Sequence, residues 1–142
     1  MLIEFALVLP VLLLLTLGFL QFGLAMNAKI DSTHLTAEGA RYIAVNQNPG
    51  SPGTLQDYIR SRGDTDDLRA NADICVEYPV NVETGTSQRV GDPVKVTLNY
   101  EYDLVPGVGN LLDPPKASLP VTSETTMRLE AVPSRIFEGC ST

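Results

Sequence analysis

Few residues in this sequence are of types that do chemistry: two cysteines, one histidine, a short run of aspartates, and a single acid in apolar surroundings. Cys75 and Cys140 are too far apart for a CxxC redox motif, and two cysteines with one histidine make a poor zinc set. If the segment that carries them lies outside the cytoplasm, an even pair favours a disulfide; the alternative is two separate thiols. A bridge would tie the C-terminal tail back to the stretch around Cys75 and cross its polar face. It would close a loop of about 65 residues, worth roughly 4 kcal/mol in chain entropy. His34 falls in a helical pattern with no serine or cysteine nucleophile pattern beside it, so a surface or packing role outweighs catalysis. Asp64, Asp66 and Asp67 could gather a calcium ion, but they lack the twelve-residue loop with its glycine and distal glutamate; helix capping is the better reading. Arg62-Gly63-Asp64 is a tripeptide common by chance, and no glycine-rich phosphate loop follows a strand. These residues therefore yield no catalytic, cofactor-binding or metal set, and the reading is of a protein that is not an enzyme.

Glu4 is the most unusual residue. It lies among Leu2, Ile3, Phe5 and Ala6, and no other charge follows until Lys29. The 24 uncharged residues from Phe5 to Ala28 would span roughly 36 Å as an α-helix, enough to cross a hydrocarbon core of about 30 Å. A carboxylate there is costly unless it sits at the membrane surface or meets a positive partner inside an assembly, such as the N-terminal amine of a neighbouring chain. Both readings are open on the residues alone. A secretory signal fits poorly, because nothing basic precedes the apolar run and the run is too long. The missing basic flank is itself unusual for a membrane helix. Pro10 removes a helix hydrogen bond and predicts a kink or loosened turn. Gly18 and Gly23 allow close helix approach, and Gln21 can hydrogen-bond between helices. A simple anchor would tolerate these residues, but packing against copies of the same helix explains them better.

The elements that follow must position this segment. Asn27 to Val45 continues in helical register, with Ile30, Ala37, Ala40, Ile43 and Ala44 as its apolar positions and Glu38 spaced to pair with Arg41. The small residues Ala37, Gly39 and Ala40 imply close packing. A breaker cluster from Asn46 to Gly53 ends the helix. Thr54 with Asp57 has capping-box-like spacing for a short amphipathic helix of Leu55, Tyr58 and Ile59 that ends near Gly63, and Asp64-Thr65-Asp66-Asp67 can cap a further turn through Leu68. From Asp73 the period becomes two. Ile74, Val76, Tyr78, Val80 and Val82 share one face of a strand. Val94 to Asp103 gives a second strand, and a third lies within Ala117–Ala131. Between the last two, a proline- and glycine-rich loop carries Leu104, Val105, Val108, Leu111 and Leu112. These either plug the end of the core or make an apolar contact with a neighbouring subunit. Strands with one apolar face suit an antiparallel sheet covered on one side. The expected fold class is α+β: a hydrophobic helix over 1–28, and a globular part over 29–142 in which the helix continues to about 45 and backs a small antiparallel sheet.

Composition agrees. The chain has 142 residues, 44% of them hydrophobic, and a formal charge of −7 from 10 basic and 17 acidic side chains. That charge makes it a poor binder of nucleic acid, and its length leaves no room for two large domains.

The run Ile3-Glu4-Phe5-Ala6-Leu7-Val8-Leu9-Pro10, a leucine stretch, and Gly18-Phe19-Leu20-Gln21-Phe22-Gly23 resemble the N-terminus of TadE-like pilins of tight-adherence (Tad) systems, a branch of the type IV pili. Ala37-Glu38-Gly39-Ala40-Arg41-Tyr42 is similar to that family's second hallmark. The segments 94–100 and 126–130 are more loosely similar to its C-terminal half. The resemblance implies an inner-membrane prepilin whose basic leader is removed by a prepilin peptidase. The mature helix is then passed by the assembly machinery into an extracellular filament of identical copies, with no cofactor. It also implies that Glu4 pairs with a neighbour's N-terminus, the family's carboxylate coinciding with Glu4 if one residue precedes Met1 in the mature chain. Glu4, Phe5, Pro10, Gly18, Gln21 and Gly23 are then assembly residues. Major Tad pilins are often little more than the helix, whereas this chain keeps a globular part like the family's minor pilins. The rival reading is a single-pass anchored protein whose extracytoplasmic domain binds a ligand or partner as a monomer.

Overall fold

A computed structural model describes residues 2–103 and 118–141. Its dominant element is a single helix, α1 (Leu2–Ala44), which runs through Pro10 without interruption. Two short helices follow, α2 (Leu55–Ser61) and α3 (Asp66–Asn71), and then four strands: β1 (Asp73–Glu77), β2 (Pro93–Asp103), β3 (Ser118–Arg128) and β4 (Gly139–Ser141). The strands form one antiparallel sheet in the order β3-β2-β1-β4. The fold is α+β, a long apolar helix on a small antiparallel sheet.

One face of the sheet makes the core. Ile74 and Val76 of β1, Val94, Val96, Leu98 and Tyr100 of β2, and Val121 of β3 are buried there. They meet Leu35, Ala40 and Ile43 of α1, Leu55 and Ile59 of α2, and Leu68 of α3. The globular half of α1 lies over β3 and β2, while α2 extends the helical layer over β1 and β4. Packing is close at Gly39: an added Cβ would lie 2.6 Å from Ile59 Cδ1, so the tip of that side chain would have to shift. On the opposite, solvated face, Lys95 bridges Glu77 at 3.4 Å and Glu124 at 3.5 Å. The two carboxylates, Glu77 first, raise the pKa of its ammonium.

The helix ends are built from local chemistry. Thr54 Oγ1 accepts the Asp57 backbone N–H, which caps α2 as the spacing predicts, and within the 64–67 segment it is Thr65 whose Oγ1 accepts the Leu68 N–H and caps α3. At its C-terminus α1 closes in a Schellman motif. Asn46 adopts φ 52°, its N–H bonds to Ile43 O at 2.9 Å, and the Gln47 N–H bonds to Tyr42 O at 2.8 Å. The Ala44 carbonyl accepts two more N–H groups, from Glu130 and Ala131, and so ties the helix end to the chain leaving β3.

Four expectations are corrected by packing. The alternating run from Asp73 does not continue as a strand to Val82. Pro79 has no N–H for a ladder, β1 ends at Glu77, and Val80 and Val82 are exposed, Val82 by 99%. Ile30 and Ala37 lie outside the buried face of α1, which is set by where the sheet sits. Glu38 and Arg41 make no ion pair with each other among the described residues. The tail does not cross the polar face of β1; it runs beside that strand as β4.

The connection from β1 to β2 folds around Asp92, which is 2% exposed. Its carboxylate accepts from Asn81 Nδ2, the Thr84 and Thr86 hydroxyls, and the Arg89 backbone N–H. Burial alone would raise its pKa, but these donors outweigh it and the pKa is lowered. A carboxylate with a depressed folded pKa contributes stability above its ordinary value, about 3.9, and that contribution is lost as pH falls through the folded value. Asp92→Asn should therefore melt below wild type at neutral pH, and the gap should narrow in acid; a gap independent of pH would exclude this origin. Leu98→Ala, at a fully buried position, should cost about 2–5 kcal/mol in denaturant titrations of the detergent-solubilised chain.

Candidate functional site

Among the described residues nothing covers the N-terminal part of α1. From Ile3 to Asn27 no described residue is buried, and Ala28, at 6% exposure, is the first that is. Phe5, Leu12, Leu14, Phe19, Leu20 and Phe22 are each more than 60% exposed, so the apolar surface runs all the way round the helix. By length and composition α1 can cross a membrane. Thr16, a polar residue in this stretch, donates its hydroxyl to the Leu12 carbonyl four residues back and so satisfies itself within the helix.

The sequence-predicted assembly residues all lie on this projecting part. Glu4 is in the first turn, where the helix dipole favours a negative charge. Phe5 beside it is 65% exposed. Pro10 sits inside the helix. Gln21 is half-buried. At both Gly18 and Gly23 an added Cβ would meet nothing within 4 Å, so nothing among the described residues requires glycine at either position.

Polar bonds mark where the bare helix becomes a covered one. Lys29, the first charge after the apolar run, donates to the Thr122 carbonyl and to Ser123 Oγ. Thr33 and Ser123 share a hydrogen bond at 3.2 Å, and Thr36 and Thr125 one at 2.9 Å. Ser32, Thr36 and Ser123 are buried in this seam between α1 and β3, and Ser32 is satisfied by its own helix at Ala28 O. Lys29 therefore holds the sheet to the helix at the junction. The sequence reading gave it no such role, because its partner is 94 residues away.

At the other end of the sheet, Cys75 and Cys140 form a disulfide as a facing pair of β1 and β4, with Cα atoms 4.0 Å apart. The tail has further anchors. Arg60 donates to Ser141, Gln56 to the Gly139 carbonyl, and Tyr78 to the Ile136 carbonyl at 3.0 Å. Burial, with Glu138 nearby, pushes the Tyr78 hydroxyl up to about 12. Asn46 accepts the Ser134 and Arg135 N–H groups and donates to the Ser134 hydroxyl. Of these anchors only the cysteines were visible in the sequence; an asparagine just past a helix is a signal for the cap, but not for the distant tail.

The other chemical candidates are engaged in structure. Asp66 pairs with Arg69 at 2.8 Å, and Asp67 accepts from Asn71 and from the Tyr100 hydroxyl. The backbone of Asp64 bonds to Asp31. Burial first, and then Asp67, raise the Tyr100 pKa. Asp73 lies close to the cysteine sulfurs, but bridged sulfurs are not thiolate ligands. His34 is exposed on α1 and borders a surface groove. The apolar loop residues Leu104, Val105, Val108, Leu111 and Leu112 lie outside the described residues.

An uncovered membrane-type helix that continues into a small disulfide-closed head defines a helix-anchored α+β class of protein. Within it, residues 1–41 match the family model described as TadE-like protein. The match covers the apolar helix and its continuation to Arg41 and ends before the sheet. No curated protein and no solved structure matches the chain. A TadE-like domain points to a Tad pilus-associated protein, structural rather than catalytic, with a membrane-type helix and a place at the cell surface.

Breaking the Cys75–Cys140 bridge should weaken the head and free its tail. Loss of a loop closure of this length is worth roughly 4 kcal/mol in the chain-entropy model. Non-reducing mass spectrometry should show the bridged peptides, and the Cys75→Ser, Cys140→Ser double variant should melt at a lower temperature. Two free thiols in the native protein would contradict the pairing.

Proposed function

We propose that this protein is a structural subunit of a Tad-like type IV pilus, polymerising through its N-terminal helix into an extracellular filament used for adhesion. One observation carries the reading: the TadE-like segment is a helix apolar on every side, and among the described residues nothing packs against its surface or requires its glycines. In the membrane, lipid covers that surface. In a filament, the same surface of neighbouring copies covers it, and packing density replaces lipid as the source of attraction. Glu4 in the first turn sets register by pairing with a neighbour's N-terminal amine; Gly18 and Gly23 admit close approach, and Gln21 bonds across helices. A prepilin peptidase and the pilus assembly machinery act on the chain beforehand, while it resides in the inner membrane. The head, 29–142, decorates the outside of the fibre.

Glu4→Ala should leave the protein at its normal level in the membrane and abolish filaments in electron micrographs of sheared material. Normal filaments from that variant would refute the register role. A wild-type chain that purifies only as isolated particles would favour the monomeric anchored reading instead.

A further inference from the structure

We propose that the outer face of the globular half of α1 is a second docking surface for the α1 helix of a neighbouring copy, set by exchange of Glu38–Arg41 ion pairs between chains; this rests on the filament reading above. The sheet covers only one side of that half-helix. On the other side Met26, Ile30, His34, Ala37, Arg41 and Val45 recur at spacings of three and four and continue the stripe of the bare segment. Ile30 is 54% exposed and Val45 41%. At Ala37 the face opens into a groove of about 800 Å³ that Tyr42 and Met127 help to wall.

Lipid is a poor occupant. An α-helix the length of α1 is roughly 65 Å long, about twice a hydrocarbon core, and Lys29 already marks the end of its uncharged part. A copy of the same helix fits better, because the charges of this face complement themselves. Glu38 and Arg41 are three residues apart and make no ion pair with each other among the described residues, Glu38 lying beside the Tyr42 hydroxyl, whose pKa is raised by Tyr58 foremost and by Glu38 with it. A parallel neighbour shifted along the axis by three residues, roughly 4.5 Å, brings Arg41 of one copy level with Glu38 of the next. Such a shifted contact is head-to-tail, so it does not close on two subunits and repeats along a fibre.

The test is a charge exchange in the full-length chain, expressed where it assembles. Glu38→Arg and Arg41→Glu should each lower the pelleted fibre several-fold, with membrane levels and the Cys75–Cys140 bridge unchanged. The double exchange, E38R with R41E, should restore fibres towards wild type, which a fold defect would not do. Single variants that assemble like wild type would overturn the docking surface and leave the filament reading standing. So would a double variant no better than the worse single. Absence of fibres from the wild-type chain, with the protein stable in the membrane, would overturn both.

Discussion

Apolar helix surface has to be covered by something, and the described residues cover α1 over only part of its length. Past Ala28 the sheet and α2 take one side of it. Before Ala28 a helix satisfies its backbone internally, so it can project without a partner for its peptide groups, but its side chains cannot rest in water. That asymmetry fixes the remaining design. The head must grip one end of a rigid rod firmly enough that the other end can project from it.

The grip is divided between two chemistries. Farther along the helix, Ala40 and Ile43 meet Ile59, Val96 and their neighbours in ordinary apolar packing, made close by Gly39. Near the junction the contact is polar: Lys29, Thr33 and Thr36 bond to β3 through Thr122, Ser123 and Thr125. A hydroxyl seam suits a place where the surroundings change from apolar to wet, because each buried donor keeps a partner within the protein. The far end of the rod is fixed by a different device. Asn46 ends the helix in the left-handed conformation that its short amide side chain tolerates, and the same side chain binds the tail at Ser134 and Arg135. The tail then returns beside β1, where the disulfide holds a three-residue edge strand too short to hold itself.

Local signals read correctly in the sequence. The apolar run, the Thr54 cap, the close packing at Gly39 and Ala40, and the alternation of β2 and β3 each follow from residues a few positions apart. The α+β class followed from them too, since a one-sided sheet needs a cover and a single long helix was at hand. The extent of β1 was misread because alternation in Val80 and Val82 outlasts the ladder that Pro79 cannot continue. The Asp92 turn left no mark in the pattern, because four donors scattered from Asn81 to Arg89 converge only when the chain folds.

By itself the sequence determined that there is one long helix, that its first part is apolar all round, and that the rest can make a half-covered sheet; these are matters of period and composition, and they are local. Tertiary structure decided which face of that helix is buried, that Lys29 and Asn46 are among the points at which the head is fastened to it, and that the tail pairs with β1 instead of crossing it. Those outcomes depend on partners 65 to 94 residues apart in sequence. No spacing rule carries such pairs, because what brings them together is the burial of the shared core.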